Sequence, residues 1–224
     1  MIVPASFLFP AKCVAPAADV CKLRQSVSAS DARRCASHCV RCDALHPPYI
    51  VSSFIAILTV SDSAAAGQAE DRSGPLLREL ARSLWPEQEP LMGIVADDRT
   101  MIAARLRQWA DEQDVALILT SGGTGFTPRD VTPEATRDVI EKEAPGLAEA
   151  MRAAGLRVTP HAMLSRAVAG IRGRTLIVNL SGSPKAVREQ FAVIAQVLPH
   201  ALEQLRAGKD GVHYARAGEH RREA

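Results

Sequence analysis

Aromatic side chains make up only 4% of this 224-residue chain, so its 47% apolar content rests mainly on aliphatic residues. A core packed from Val, Ile, Leu and Ala suits strands that are buried on both faces of a parallel sheet. No apolar run approaches the roughly 20 residues that a bilayer-spanning helix requires, and a soluble protein with no membrane partner is expected. Cysteine is absent beyond position 42; Cys13, Cys21, Cys35, Cys39 and Cys42 all fall in the first segment. A basic field is missing too. Residues 1–48 carry six basic and three acidic residues, and the remainder carries 21 against 22. That balance excludes the electrostatic footprint of a nucleic-acid binder and points to a small-molecule partner.

Residues 1–50 show neither a helical nor an alternating period and are rich in Ala, Ser, Arg and Pro. Three readings stay open for them: a disordered extension, an organelle transit segment, or a start assigned too early, with translation beginning near Val51. The apolar stretch Ile2–Pro10 is too short for a secretory core and lacks the basic residues that precede one. A cytoplasmic protein is expected, with organelle targeting left open. Cys35, His38, Cys39 and Cys42 have the donor types of a zinc site but not its two separated ligand pairs, so metal binding there is disfavoured. At the other end, residues 207–224 are charged and aperiodic, the pattern of a flexible tail.

Between these ends the chain alternates strand-like and helix-like segments. Phe54–Val60 reads as a first strand, and Leu76, Leu77, Leu80 and Leu84 give a helix over Ser73–Leu84 its buried face. Leu91–Val95 is a second strand. Met101, Ile102, Leu106 and Trp109 then line one side of a helix, and Val115–Leu119 is a short buried strand. Thr132 and Pro133 open another helix that Val139 and Ile140 continue; further helices are expected over Gly146–Ala154 and near His161–Ala169. A strand at Thr175–Leu180 and a long helix over Pro184–Arg206 complete the series. Such alternation predicts a three-layer α/β/α domain with a mostly parallel sheet, spanning residues 51–206.

Chemistry concentrates where the third strand empties into LTSGGTGFTPRDVTPEAT, from Leu119. Gly122, Gly123 and Gly125 allow backbone conformations closed to other residues and close approach to a ligand. The N–H groups of such a turn, with the hydroxyls of Ser121 and Thr124, can hold phosphate oxygens. The loop is neither a dinucleotide fingerprint nor a P-loop, because the Lys and Ser/Thr of the latter are missing. By composition alone, a tight turn without a ligand is an equally good reading, and Asp130 reads better as a capping carboxylate for the helix at Thr132.

The whole string, however, resembles the molybdopterin-binding MoaB/Mog family, to which a domain of gephyrin is also similar. The likeness extends to ILTVSDSAAAGQAEDRSGPLL from Ile57, to Asp97 and Asp98 after the second strand, to TPHAMLSRAVAGIRGRTLIVNL from Thr159, and to SGSPKAVRE from Ser181. It implies the molybdopterin-binding domain fold and an enzyme of molybdenum cofactor biosynthesis. That enzyme transfers AMP from Mg-ATP to the molybdopterin phosphate, releasing pyrophosphate. It also implies a homotrimer, with other cofactor-assembly proteins as further partners.

On the same resemblance, Asp97 and Asp130 match essential aspartates and are the expected Mg²⁺ ligands; carboxylate oxygens suit that hard cation. Asp98 is the alternative to Asp97, set aside by motif position alone. Ser165 in MLSR matches a serine implicated in the reaction, although by itself it reads equally well as a surface serine. Ser61 and Asp62 follow the first strand and join Ser121, Gly122, Gly123, Thr124, Gly125, Thr132, Ser183 and Lys185 as expected substrate contacts. Asp71 and Ser73 read as caps of the next helix, and His161 as a packing or surface residue. One departure stands out: Ser181 occupies a position where the family usually has proline, which puts the stiffness of that loop in question. A non-catalytic molybdopterin carrier or assembly module is the alternative function; it would share the glycine loop and have no need of a metal-bound triphosphate.

Overall fold

The computed structural model describes residues 55–207. Strand β1 (Ile55–Val60) is buried along its whole length, and its side chains divide by parity between two cores. Ile55 and Ile57 pack with Leu117, Leu119, Val178 and Leu180 on one face of the sheet, whereas Ala56, Leu58 and Val60 join Ile118 and Ile177 on the other. This is the two-residue period of a strand covered on both sides, and it accounts for the aliphatic composition.

Strands β2 (Leu91–Val95), β3 (Leu117–Ser121) and β6 (Thr175–Leu180) belong to the same parallel set, in register Ile57 with Met92 and Leu119, and Leu119 with Val178. At one edge β5 (Ala169–Arg172) runs antiparallel to β6, and β4 (Lys142–Glu143) antiparallel to β5, giving the order β2-β1-β3-β6-β5-β4. Helices α2 (Ser73–Leu84), α5 (Pro145–Leu156), α6 (Pro184–Ile194) and α7 (Leu198–Arg206) bury Leu77, Met151, Phe191 and Leu202 against the first face. Helices α3 (Arg99–Arg107) and α4 (Thr132–Arg137) cover the second with Ile102, Leu106 and Ala135. The fold is the expected three-layer α/β/α domain with a mostly parallel sheet.

Topology places the functional end. The chain leaves β1 for β2 on one side and returns to β3 on the other, so the carboxyl ends of β1 and β3 diverge at a switch point, where open α/β sheets bind ligands. Short helix α1 (Asp62–Ala65) follows β1 there, and the glycine loop follows β3.

Several expectations about elements are corrected. Residues 161–169 do not form an α-helix: a 3₁₀ turn at Pro160–Leu164 gives way to extended chain and β5. The Asn179 side chain accepts from the Val168 N–H and its backbone N–H donates to the Val168 carbonyl, so pairing with β6 captures this stretch. Gly173, at φ 54°, closes the hairpin in the left-handed region that favours glycine. The helix expected over Pro184–Arg206 is two helices, since Pro199 in the first turn of α7 has no N–H to donate backward into α6. Strand β3 lies two residues further along than expected because Thr120, though polar, has its hydroxyl bonded inside the core by Asn179. Met101 points away from the core, 53% exposed, while Ile102, Leu106 and Trp109 are buried as expected. Residues 1–54 and 208–224, with the Cys35, His38, Cys39 and Cys42 cluster and nearly all of the tail, lie outside the described residues.

Candidate functional site

Gly122 has φ 103°, and a Cβ there would stand 2.2 Å from the Val60 carbonyl oxygen. Only glycine lets the chain leaving β3 pass this close to the end of β1. Gly123 follows at φ 62°, and its added Cβ would meet the Thr132 hydroxyl at 2.3 Å and Asp97 Oδ1 at 3.2 Å. The loop therefore runs directly between the two expected metal ligands: the Cβ position of Gly125 lies 3.0 Å from Asp130 Oδ2.

Asp97 is bound reciprocally to Asp62. Its carboxylate accepts from the Asp62 N–H at 2.9 Å, and its own N–H donates to Asp62 Oδ1 at 3.0 Å. Burial pushes the Asp97 carboxyl above the usual carboxylate range; the Asp62 N–H and the Arg129 charge act against this, and the nearby charges of Asp62 and Asp130 add to it. A divalent cation would relieve that repulsion. Asp98 has a separate task, capping α3 by accepting from the Met101 N–H at 2.8 Å. Adjacent aspartates thus divide between site and helix.

Asp130 turns back on its own loop, accepting from the Thr127 N–H at 2.8 Å and the Thr127 hydroxyl at 2.6 Å. Burial alone would raise its pKa, but the Thr127 bonds, the Gly125 N–H and the Arg166 charge together hold it below the usual range. Arg166 fastens the loop from below: its side chain donates to the Gly125 carbonyl at 2.6 Å, to Glu134 at 2.5 Å and to the Asp130 carbonyl. Its backbone N–H donates to the Thr124 carbonyl at 3.0 Å.

Two cavities meet across this loop. The larger, about 600 Å³, is lined by Thr124, Gly125, Arg152, His161, Ser165 and Ser183 among others. The smaller, about 470 Å³, includes Ser61, Asp97, Ser121, Gly122 and Arg129. Gly123, Asp130 and Gly182 line both. Asp62, Thr132 and Lys185 line neither among the described residues. Asp62 is bonded to Asp97 and Arg129; Thr132 is fully buried beneath Gly123 with its hydroxyl unbonded; Lys185 is exposed, 4.0 Å from Glu189. Asp71 caps α2 as expected, accepting from the N–H groups of Ser73 and Gly74, and also receives the Thr59 hydroxyl.

The loop at Ser181 is firm without proline. Gln190 of α6 accepts from the Ser181 N–H at 2.8 Å and donates to its hydroxyl at 2.9 Å. Ser121 donates to the Ser181 carbonyl at 3.1 Å, and Ser73 to the Gly182 carbonyl at 2.7 Å. Proline would remove the N–H that Gln190 receives, so two side-chain bonds, not a ring, stiffen this turn.

Residues 56–200, which carry every element of this site, match the family described as "Probable molybdopterin binding domain". The chain belongs to this molybdopterin-binding family. Across 150 residues it is 42% identical to the molybdopterin adenylyltransferase of Helicobacter pylori (strain J99), covering 66% of this chain and 85% of that one. The molybdenum cofactor synthesis protein cinnamon of Drosophila melanogaster is 46% identical over 146 residues, but the match covers 65% of this chain and only 24% of that protein. Among solved structures, the molybdopterin biosynthesis enzyme MoaB of Thermus thermophilus superposes with a TM-score of 0.64 at 51% identity, covering 68% of this chain and 96% of its own.

Sequence reasoning passed over Arg129, Arg152, Arg166 and Gln190. Arg129 and Arg166 stand inside the strings that carry the family likeness, but nothing in their spacing marks them. Gln190 became legible only once the fold brought α6 to the Ser181 turn.

Proposed function

We propose that this chain transfers AMP from ATP to the phosphate of molybdopterin, in the biosynthesis of the molybdenum cofactor. One observation carries the reading: two cavities of different character share Asp130 and the glycine loop, so two ligands bound side by side meet at one carboxylate. The larger cavity, walled in part by Met151, Val158 and Leu164, suits the flat pterin. The smaller, with Asp97 and Asp130, suits a triphosphate. A carrier would need only the first. Family membership and the adenylyltransferase relative support the same reading.

Asp97 and Asp130 fit Mg²⁺, which is commonly held by one or two carboxylates with phosphates and water completing its shell. Asp97 Oδ1 faces the loop, 3.2 Å from the Cβ position of Gly123, where a cation held with Asp130 would lie beside a partly buried carboxylate. Bound there, Mg²⁺ would neutralise phosphate charge during transfer. The chain's own groups do the rest. N–H groups of Gly123 and Thr124 and the Thr124 and Ser165 hydroxyls orient phosphate oxygens, while Arg166 keeps the loop fixed so that little reorganisation is needed. Ser61 and Ser183 are occupied in capping α1 and α6, and serve the site by aiming those helix starts at it.

The homotrimer belongs to the same proposal, to be checked by sedimentation. No helix among the described residues is long and apolar enough to cross a membrane. Incubating the purified chain with molybdopterin and Mg-ATP should yield adenylyl-molybdopterin and pyrophosphate; tight pterin binding without product would favour the carrier.

A further inference from the structure

Adenylyl transfer brings two anions together, and the chain's supply of positive charge at the meeting point is small. Lys185, the expected phosphate contact, faces solvent beside Glu189. Among the described residues lining the smaller cavity, the cations are Arg72 and Arg129, set against Glu70, Asp71, Asp97 and Asp130. Arg72 lies 3.7 Å from Glu70, with both side chains more than three-quarters exposed. Arg129 precedes Asp130 directly, in the stretch fastened by Thr127 and Arg166, and its guanidinium pairs with Asp62.

From this arrangement we propose that Arg129 is a catalytic cation, parked on Asp62 in the free protein and transferred to the departing pyrophosphate during the reaction. The inference rests on the adenylyltransferase reading. Its geometry is a short relay: Asp62 receives the Asp97 N–H on one carboxylate oxygen and Arg129 on the other. The same residue thereby orients a metal-ligand candidate and restrains one of the two cations, Arg72 and Arg129, that line the smaller cavity among the described residues. An ion pair whose side chains are 64% and 44% exposed is screened by solvent and contributes little, so it yields readily to a better partner. A phosphate group presents several anionic oxygens to the planar guanidinium fork and is such a partner.

In the step itself, a molybdopterin phosphate oxygen attacks the α-phosphorus of ATP. A new P–O bond forms, the α–β bridging P–O bond breaks, and pyrophosphate departs with the bonding electron pair. No redox change or additional reactant is involved. Negative charge grows on the bridging and β-phosphate oxygens, where a guanidinium gives more stabilisation in the transition state than in the ground state.

The test compares wild type with Arg129→Gln and Arg129→Lys, using turnover and direct titration with magnesium pyrophosphate. Removing one such donor lowers kcat by about 10²-fold or more, and this is expected for Arg129→Gln, with molybdopterin affinity within about twofold of wild type. Magnesium pyrophosphate should bind at least tenfold more weakly to Arg129→Gln, and Arg129→Lys should recover part of both losses. A purely structural role would change the melting temperature and leave the pyrophosphate titration alone. Equal pyrophosphate affinity in wild type and Arg129→Gln, no pyrophosphate binding by wild type, or turnover of Arg129→Gln within threefold of wild type would each overturn the proposal. If wild type makes no adenylyl-molybdopterin yet loses pyrophosphate binding with Arg129→Gln, the adenylyltransferase reading fails and the phosphate site at Arg129 stands.

Discussion

One polar cluster sits on β3 and β6 and another follows the carboxyl ends of β1, β2 and β3, and they are built on opposite terms. Asn179 is fully buried, and its amide donates to the hydroxyls of Thr120 and Thr136 at 2.9 Å each while accepting from the Val168 N–H at 3.3 Å. Every polar atom of that amide has a partner inside the protein. The cluster of Asp62, Asp97, Arg129 and Asp130 is half-open, with one carboxyl raised mainly by burial and further by like charges, and a cation shared between loops. A dry, satisfied network fixes geometry, whereas an exposed and unbalanced one is available to a ligand.

The comparison predicts that the two clusters fail differently. The largest effect is expected at the open one: Asp130→Asn should lower AMP transfer by two orders of magnitude or more, on the order of losing a transition-state contact, with the fold and pterin binding retained. Asp97→Asn should give a similar defect in the same assay. Asp98→Asn, which keeps a side chain able to cap α3, should leave turnover near that of wild type; a severe loss there would show that the capping aspartate and the site aspartate had been interchanged.

At the closed cluster, Asn179→Ala strands two buried hydroxyls and should cost about 2–3 kcal/mol of stability. For a domain of this size that lowers Tm by roughly 5–10 °C, readable by calorimetry, with magnesium dependence unaltered. A collapse of turnover without a fall in Tm would erase the contrast between the two clusters. Gln190→Ala should be milder, about 1 kcal/mol, because its bonds to Ser181 are partly exposed. Combining it with Ser181→Pro should restore much of the loss. The smallest effect is expected from deleting residues 1–48, which contain no part of the family pattern: activity and Tm should stay within error of wild type. Sensitivity of the full chain to zinc chelation under saturating magnesium would instead reveal a structural role for Cys35, His38, Cys39 and Cys42.

The legible part of this molecule was whatever short-range pattern controls. The largely apolar runs at Ile55–Val60 and Thr175–Leu180, the leucine spacing of Ser73–Leu84 and the glycine loop all sit where periodicity and turn chemistry put them. Hairpin β5–β6 escaped notice because Asn179, distant in sequence from Val168 by 11 residues, decides the conformation of that stretch. The same holds at the site. Asp97 and Asp130 were reachable through motif position, but the separation of Asp97 from Asp98 depends on α3 beginning where it does. Lys185 looked suitable by charge, and in the fold it is exposed beside Glu189, outside both cavities. Arg129 was invisible until Asp62, 67 residues earlier, was found beside it.

The central claim is that Asp130 joins two ligand sites in one transfer reaction, and following the α-phosphate tests it most directly. With ATP labelled at that phosphate, wild type should pass the label to molybdopterin in the presence of Mg²⁺, while Asp130→Asn, bound to the same amount of molybdopterin, should pass almost none. Label transfer by Asp130→Asn at close to the wild-type rate across a magnesium titration would contradict the account.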